Sequence, residues 1–275
     1  MPEYEFDRPT PVTVALRMPR GVADVTAEDR PNIQVQLMPL DDNESSRDAA
    51  GNFKVALEGD SLIVHAPEGF GWPLRRSPKI HVVVRVPAGS NLAVKMASAD
   101  LRAKGDYGVV QTDLASGDAY VERVAGDAEL KSASGDVQVD RVGGSLRTGS
   151  ASGDVRVGDV TGDVSVNSAS GDLAFRSIGG SIQGKTASGD VQIGRLRQGK
   201  ATFSSASGDV TIGIAAGTGV WLDLNTSSGS TTSDLTMNDS VPQAEQQATL
   251  ELRVRTASGD IHVHRAIGDT ERETV

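Results

Sequence analysis

The tetrapeptide Ala-Ser-Gly-Asp begins at Ala115, Ala133, Ala151, Ala169, Ala187, Ala206 and Ala257, with altered copies at Ala97 (Ala-Ser-Ala-Asp) and Ser227 (Ser-Ser-Gly-Ser). From Ala97 to Ala187 every step is eighteen residues; the later steps are nineteen, twenty-one and thirty. A fixed period of this length restricts the fold more than any other feature, because a repeated supersecondary unit buries its apolar face only by stacking on its neighbours. A weaker repeat of nine lies inside it, with glycines at Gly108, Gly117, Gly126, Gly135, Gly144, Gly153, Gly162, Gly171, Gly180 and Gly189, so each half-unit carries one turn.

Between the turns the residues alternate, as in Val137-Gln-Val139, Val155-Arg-Val157 and Val191-Gln-Ile193. Period two with β-branched residues specifies strand, and no helical periodicity is visible. Two short strands and two tight turns per eighteen residues make one coil of an all-β, parallel β-helix-like solenoid, each coil about 4.8 Å from the next. One coil cannot stand alone. About half a dozen inward apolar groups return about 1.5–3 kcal/mol each, whereas ordering eighteen residues costs about 1.5 kcal/mol per residue. The competing arrangement is an antiparallel meander of nine-residue hairpins.

In-register stacking places each residue over the one eighteen positions later, which pairs Lys104 with Glu122, Asp113 with Lys131, Glu129 with Arg147 and Arg141 with Asp159. One pair disagrees, since Glu122 would face Asp140. Exposed pairs of this kind contribute only about 0–1 kcal/mol, so they report register more than stability.

Residues 1–92 lack the tetrapeptide but keep alternation, for example in Val12-Thr-Val14 and Ile80 to Val86, and read as an N-terminal β-strand capping region. The polar run from Asp41 to Asn52 reads as a loop, and Phe70 and Trp72 as bulky cap residues. A cap is needed because an open coil edge exposes a row of unpaired backbone groups. Residues 93–266 form the Ser-Gly-Asp solenoid, with a polar insertion at 231–248, and residues 267–275 are a tail.

With only ten aromatics (five Phe, three Tyr, two Trp), the core must be thin and built from Val, Leu, Ile and Ala. The absence of cysteine excludes a thiol nucleophile, disulfides and Cys-ligated metal centres. A net charge of -10 opposes binding to nucleic acid, which rests on clustered Lys and Arg. The first twenty residues carry acids and prolines where a secretory signal has a basic start and an apolar stretch, and no apolar run approaches a membrane span. The expected location is the cytoplasm, without membrane contact.

Asp118, Asp136, Asp154, Asp172 and Asp190 would lie in one column about 5 Å apart. Turn chemistry explains such a column, with each carboxylate accepting hydrogen bonds from turn amides while Gly117, Gly135, Gly153, Gly171, Gly189, Gly208 and Gly259 supply the turn conformation. The same five aspartates are the weak candidates for metal if calcium bridges the coils, but calcium-binding nonapeptide rolls carry several glycines per nine residues and this chain one or two. His262 and His264 point outward from one strand without a sequence-evident third ligand. Glu122 with Asp140 is the only stacked outward acidic pair in the regular coils, on a mixed-charge surface without an aromatic platform for a sugar. No Gly-x-Ser-x-Gly elbow, phosphate loop or dinucleotide fingerprint occurs. No cofactor and no catalytic residue are expected.

With the Ala-Ser-Gly-Asp columns, the lead-in Val86-Pro-Ala-Gly-Ser-Asn-Leu92 and the late copy Arg255-Thr-Ala-Ser-Gly-Asp-Ile-His-Val263 in view, the chain resembles the bacterial putative adhesin family, β-strand repeats of unknown function, over roughly Val12 to Ala266. The resemblance implies a β-solenoid with no catalytic residues to carry over. The expected function is a rigid structural scaffold for an unknown protein partner. The alternatives are self-association into filaments, a calcium-responsive roll and, last, a carbohydrate-active solenoid enzyme.

Overall fold

The computed structural model describes residues 2–42, 44–67, 78–235 and 249–266. The N-terminal part contributes β1 (Glu3–Asp7), β2 (Thr13–Glu28), β3 (Asn32–Pro39), α1 (Glu44–Gly51), β4 (Lys54–Glu58), β5 (Ser61–His65), β6 (Ile80–Pro87) and β7 (Asn91–Tyr107). The repeats then give strand pairs: β8 (Val110–Ser116) with β9 (Ala119–Val124), β10 (Ala128–Ser134) with β11 (Val137–Val142), β12 (Leu146–Ser152) with β13 (Val155–Val160), β14 (Val164–Ser170) with β15 (Leu173–Ile178), and β16 (Ile182–Ser188) with β17 (Val191–Leu196). The last coils are β18 (Gly199–Ser207) with β19 (Val210–Ile214), β20 (Val220–Ser228) with β21 (Thr231–Ser233), and β22 (Leu250–Ser258) with β23 (Ile261–Arg265).

The coils run parallel at the expected offset: Val137 pairs with Val155, and Ser134 with Ser152, eighteen residues on. This excludes the hairpin meander, in which neighbouring strands would be antiparallel. Valines and leucines such as Val121, Val139 and Leu146 point into the space enclosed by the coils and are buried, while their sequence neighbours are partly or fully exposed. That alternation follows from the two-residue period of a strand. The core accommodates its few large groups by pairing them with small ones. Gly184 lies in register with Phe203, and a methyl group at Gly184 would sit 2.2 Å from the Phe203 ring. Tyr107 is fully buried, its hydroxyl donating to the Val25 carbonyl at 2.8 Å.

The coil order in space departs from the order in the chain at both ends. β2 lies between β6 and β7, parallel to both, with Gly21 paired to Ile80 on one side and to Ala99 on the other. β5 continues that outer coil on the second face, Thr13 pairing with Ser61. At the far end β22 is wedged between β18 and β20: Ser258 pairs with both Ser207 and Ser228. Each terminal stretch is thus an inner coil, flanked by two coils that follow each other in sequence.

The boundary expected after residue 92 falls inside β7, and the parallel ladder crosses it without a break, because β2, β5 and β6 already belong to the stack. The antiparallel strands that finish the N-terminal end are β4 on β5 in one face, and β3 on β6 with β1 on β3 in the other. The run from Asp41 to Asn52, read as loop, contains α1. Eight residues are too few to display a helical period, yet Ser46, Ala49 and Ala50 are buried beneath it, and the Asn52 side chain donates to the Asp48 carbonyl at 2.8 Å. Thr231–Ser233, the start of the expected polar insertion, is strand β21, in register with β23. Phe70, Trp72, residues 236–248 and the tail at 267–275 lie outside the described residues.

Candidate functional site

The repeated corner is one hydrogen-bond device used along the stack. Asp118 Oδ1 accepts the Asp136 amide at 3.0 Å, Asp136 that of Asp154 at 2.9 Å, and Asp154 that of Asp172 at 2.9 Å. The ladder continues from Asp172 to Asp190, from Asp190 to Asp209, and then skips to Asp260, whose Oδ1 accepts the Ser230 amide at 2.7 Å. Each carboxylate therefore satisfies an N–H that the neighbouring coil would otherwise leave without a partner. Five outward groups, Asp118, Asp136, Asp154, Asp172 and Asp190, are all engaged this way, and Arg156 adds ion pairs to Asp154 at 2.7 Å and Asp136 at 3.4 Å.

The turn glycines Gly117, Gly135, Gly153, Gly171, Gly189, Gly208 and Gly259 have φ between 110° and 133°. Two constraints meet there: the positive φ, and a Cβ at Gly135 that would lie 2.2 Å from the Gly117 carbonyl oxygen. From the Gly135 corner onward, a hydroxyl two residues before the motif serine completes the corner. Ser168 donates to the Ser170 carbonyl at 3.1 Å, Thr186 to Ser188 at 3.0 Å and Ser205 to Ser207 at 2.9 Å. The motif serines themselves, such as Ser134 and Ser152, are exposed.

A second ladder, which sequence reasoning missed, occupies the opposite corner. Asn91 Oδ1 accepts the Val109 amide at 2.9 Å, Asp127 that of Ser145 at 2.7 Å, and Asp163 that of Ser181 at 2.8 Å. The signal lay in the alternation of Asp and Ser at the second turns, where Asp127 and Asp163 precede coils that carry Ser145 and Ser181.

The remaining candidates are not drawn into a reactive centre. Glu122 Oε2 accepts the Gly105 amide at 2.8 Å and its other oxygen pairs with Arg123 at 2.6 Å, while Asp140 accepts the Tyr120 hydroxyl at 2.6 Å. That last bond pushes the Tyr120 hydroxyl up to about 12, with burial adding to it. The rings of His262 and His264 stack with centroids 5.3 Å apart, and His262 faces Asp234 at 3.4 Å. Among the described residues no three His, Asp or Glu side chains converge as metal ligands. The register pairs appear as expected for Asp113 and Lys131, Glu129 and Arg147, and Arg141 and Asp159. The ion pairs formed are others. Lys95 takes Asp113 at 3.3 Å, Lys131 takes Glu129 at 2.6 Å and Arg176 takes Asp159. Lys104 and Glu122 are displaced from register by a bulge between Ala103 and Asp106.

A concavity of about 980 Å³ is an open groove on the face built by β8, β10, β12, β14, β16 and β18. Its outward column runs Gln111, Glu129, Arg147, Ser165, Gln183 and Thr202, one side chain per coil. Beyond it, Trp221 on β20 is 47% exposed, with the Arg253 guanidinium 5.8 Å from its ring centroid.

Fold and site together define a class: a parallel β-solenoid whose one conspicuous motif is a structural corner repeated coil after coil. Residues 23–264 match the family model described as Toastrack DUF4097, and the chain belongs to that family. This agrees with the adhesin-type family of unknown function that the repeats resemble. Among curated proteins no match is found. In the crystal structure of a putative adhesin from Bacteroides fragilis NCTC 9343 the fold is similar, at 10% identity, 95% coverage of each chain and a TM-score of 0.50. A putative lipid binding protein from Parabacteroides distasonis ATCC 8503 aligns at 12% identity over 97% of this chain and 96% of that one, with a TM-score of 0.42. At 10% identity the likeness to the Bacteroides fragilis structure concerns the fold alone. The one described helix, α1, is too short to cross a membrane.

Proposed function

We propose that this protein is a non-enzymatic, rigid scaffold that presents long columns of outward side chains to a protein partner, the polar groove from Gln111 to Thr202 being the presenting face. The observation that carries this reading is the aspartate ladder. The repeated carboxylates are spent on backbone amides of the next coil, so the most conspicuous motif of the sequence is construction and not chemistry. A groove with one new side chain every 4.8 Å or so on a stiff ladder suits recognition of an extended surface.

Two features favour a single chain over a filament. At the far end Ser230 stands where the inner coils carry Asp, so the last coil among the described residues offers no carboxylate at this corner to a further coil's amide. At the other end the antiparallel strands β1, β3 and β4 close the stack. Size-exclusion chromatography with light scattering and thermal melting, each with and without calcium chloride, tests the reading. The expected result is an elongated particle of monomer mass with an unchanged melting temperature. A mass that grows with concentration replaces the scaffold by a filament, and a calcium-dependent rise in melting temperature replaces it by a calcium roll.

A further inference from the structure

One wall of the polar groove carries a period longer than the coil. In spatial order this wall and its continuation read Asp127, Ser145, Asp163, Ser181, Lys200, Glu251 and Trp221, one residue per coil, since β22 is wedged between β18 and β20. Taken at every second coil, the column presents Asp127, Asp163, Lys200 and Trp221, in steps of about 9.6 Å.

Both aspartates are exposed. Each engages Oδ1 with the amide of the next coil, Ser145 or Ser181, and neither forms an ion pair among the described residues, so Oδ2 of each is left to a ligand. Most other charges of the groove are committed to partners: Glu129 to Lys131 at 2.6 Å, Lys200 to Glu251 at 3.1 Å and Arg253 to Asp223 at 2.9 Å. Arg147, Gln183, Ser145 and Ser165 line the groove as donors whose side chains form no hydrogen bond among the described residues.

The step selects the conformation of an occupant. A β-strand returns to the same face after two residues, about 6.7 Å, and an α-helix after a turn of about 5.4 Å, and neither keeps pace with the coils. A polyproline II segment returns after three residues, about 9.3 Å. From Asp127 to Trp221 the wall advances about 29 Å, and nine residues of such a segment cover about 28 Å. The segment leaves every backbone carbonyl free to accept from Arg147, Gln183 and the serines, while its prolines bring no N–H in need of an acceptor. Trp221, 47% exposed, offers an aromatic surface of the kind on which prolines dock. The net charge of -10 favours a basic partner.

From this match we infer that the groove docks a basic, proline-rich segment of the partner protein in polyproline II conformation, with basic side chains three residues apart on Asp127 and Asp163 and a proline on Trp221. The inference rests on the scaffold reading and names the partner's chemistry at that same groove.

A fluorescein-labelled proline peptide carrying two arginines three residues apart, with prolines on both sides, is titrated with the full chain at low and high salt and followed by polarisation. It should bind with an affinity that falls as salt rises. Peptides with the arginines two residues apart, with glutamates in their place, or with the arginines in a glycine–serine backbone should bind at least about tenfold more weakly. The double variant Asp127→Asn/Asp163→Asn keeps Oδ1 for the Ser145 and Ser181 amides, and should also lose at least about tenfold. Trp221→Ala should lose at least about fivefold, and Gln192→Ala on the opposite face should change nothing, with melting curves reporting the fold of each variant. No binding at low salt, equal binding of any control peptide, or equal binding by the asparagine or alanine variant of the groove column overturns the segment. A chain that is monomeric and unmoved by calcium yet binds no peptide loses the segment and keeps the scaffold reading, whereas filament growth or a calcium-dependent melt removes the scaffold reading whatever the peptide does.

Discussion

At the residue scale the corner depends on two atoms that the motif conserves within this one chain, a missing Cβ and a carboxylate oxygen. Gly135→Ala would place a methyl group 2.2 Å from the Gly117 carbonyl oxygen at a backbone φ of 133°. Strain of that kind costs on the order of 1–3 kcal/mol, so urea denaturation should show a clearly lowered midpoint; a midpoint equal to the parent's would mean that the corner relaxes freely. Asp260 shows what the carboxylate adds. Hydrogen bonds from Ser230, first its backbone amide and then its side chain, hold the Asp260 carboxyl below the usual aspartate range, against a smaller opposing effect of burial. The unfolded chain therefore takes up this proton first as pH falls. The contribution is complete above the ordinary value of about 3.9 and disappears as pH drops through the lower folded value. Melting temperatures of the parent and Asp260→Asn should differ more at pH 6 than at pH 3. A gap of the same size at both pH values would show that ionisation of Asp260 plays no part.

At the element scale the wedged coils explain features that a simple count of repeats leaves puzzling. The pair β22 and β23 has a neighbour on each side, and its inward residues Leu250, Leu252 and Val254 are fully buried. The pair β20 and β21 is flanked on one side only among the described residues, and Val220, Leu222 and Leu224 are partly buried. Stability in a stacked array is a sum over nearest-neighbour interfaces, so a coil with one interface opens before a coil with two. Hydrogen exchange should therefore protect the amides of Leu252 and Val254 more than those of Leu222 and Leu224, although β22 is nearer the chain terminus. Faster exchange in β22 than in β20 would contradict the wedged order.

At the scale of the whole molecule the two wedges make the ends alike in logic. β2 is held between coils 61–87 and 91–107, and β22 with β23 between coils 199–214 and 220–233. Both flanking pairs are joined by short connections, and these are tied to the wedged coil. The Ala88 amide donates to the Glu28 carbonyl at 2.9 Å, and Arg265 Nη1 donates to the Ala215 and Thr218 carbonyls at 3.1 and 3.0 Å. Every coil in the middle lies against its sequence neighbours and forms ladders at a separation of eighteen or nineteen residues. The wedges close the longer loops, from Ser61 back to Thr13 and from Ser258 back to Ser207. Loop closure of that length costs only a little more than closing one coil, which is why a stack built from local steps tolerates one non-local insertion at each end.

The eighteen-residue register, the two-strand coil, the inward valines and leucines and the corner glycines were all legible in the sequence, because strand period and turn conformation are local properties of the chain. The order of the coils was not. A ladder edge is a row of backbone N–H and C=O groups that accepts any parallel strand of fitting length, so only burial of the apolar faces decides which coil lies next to which. One trace of that decision survives in the residues: Ser230 replaces Asp in the copy at Ser227, whose coil is flanked on one side among the described residues, while Asp260 is kept in the copy at Ala257, whose coil is flanked on both. Ion pairing was likewise decided in three dimensions, since arginine and lysine side chains reach diagonally across coils, as Arg176 does to Asp159.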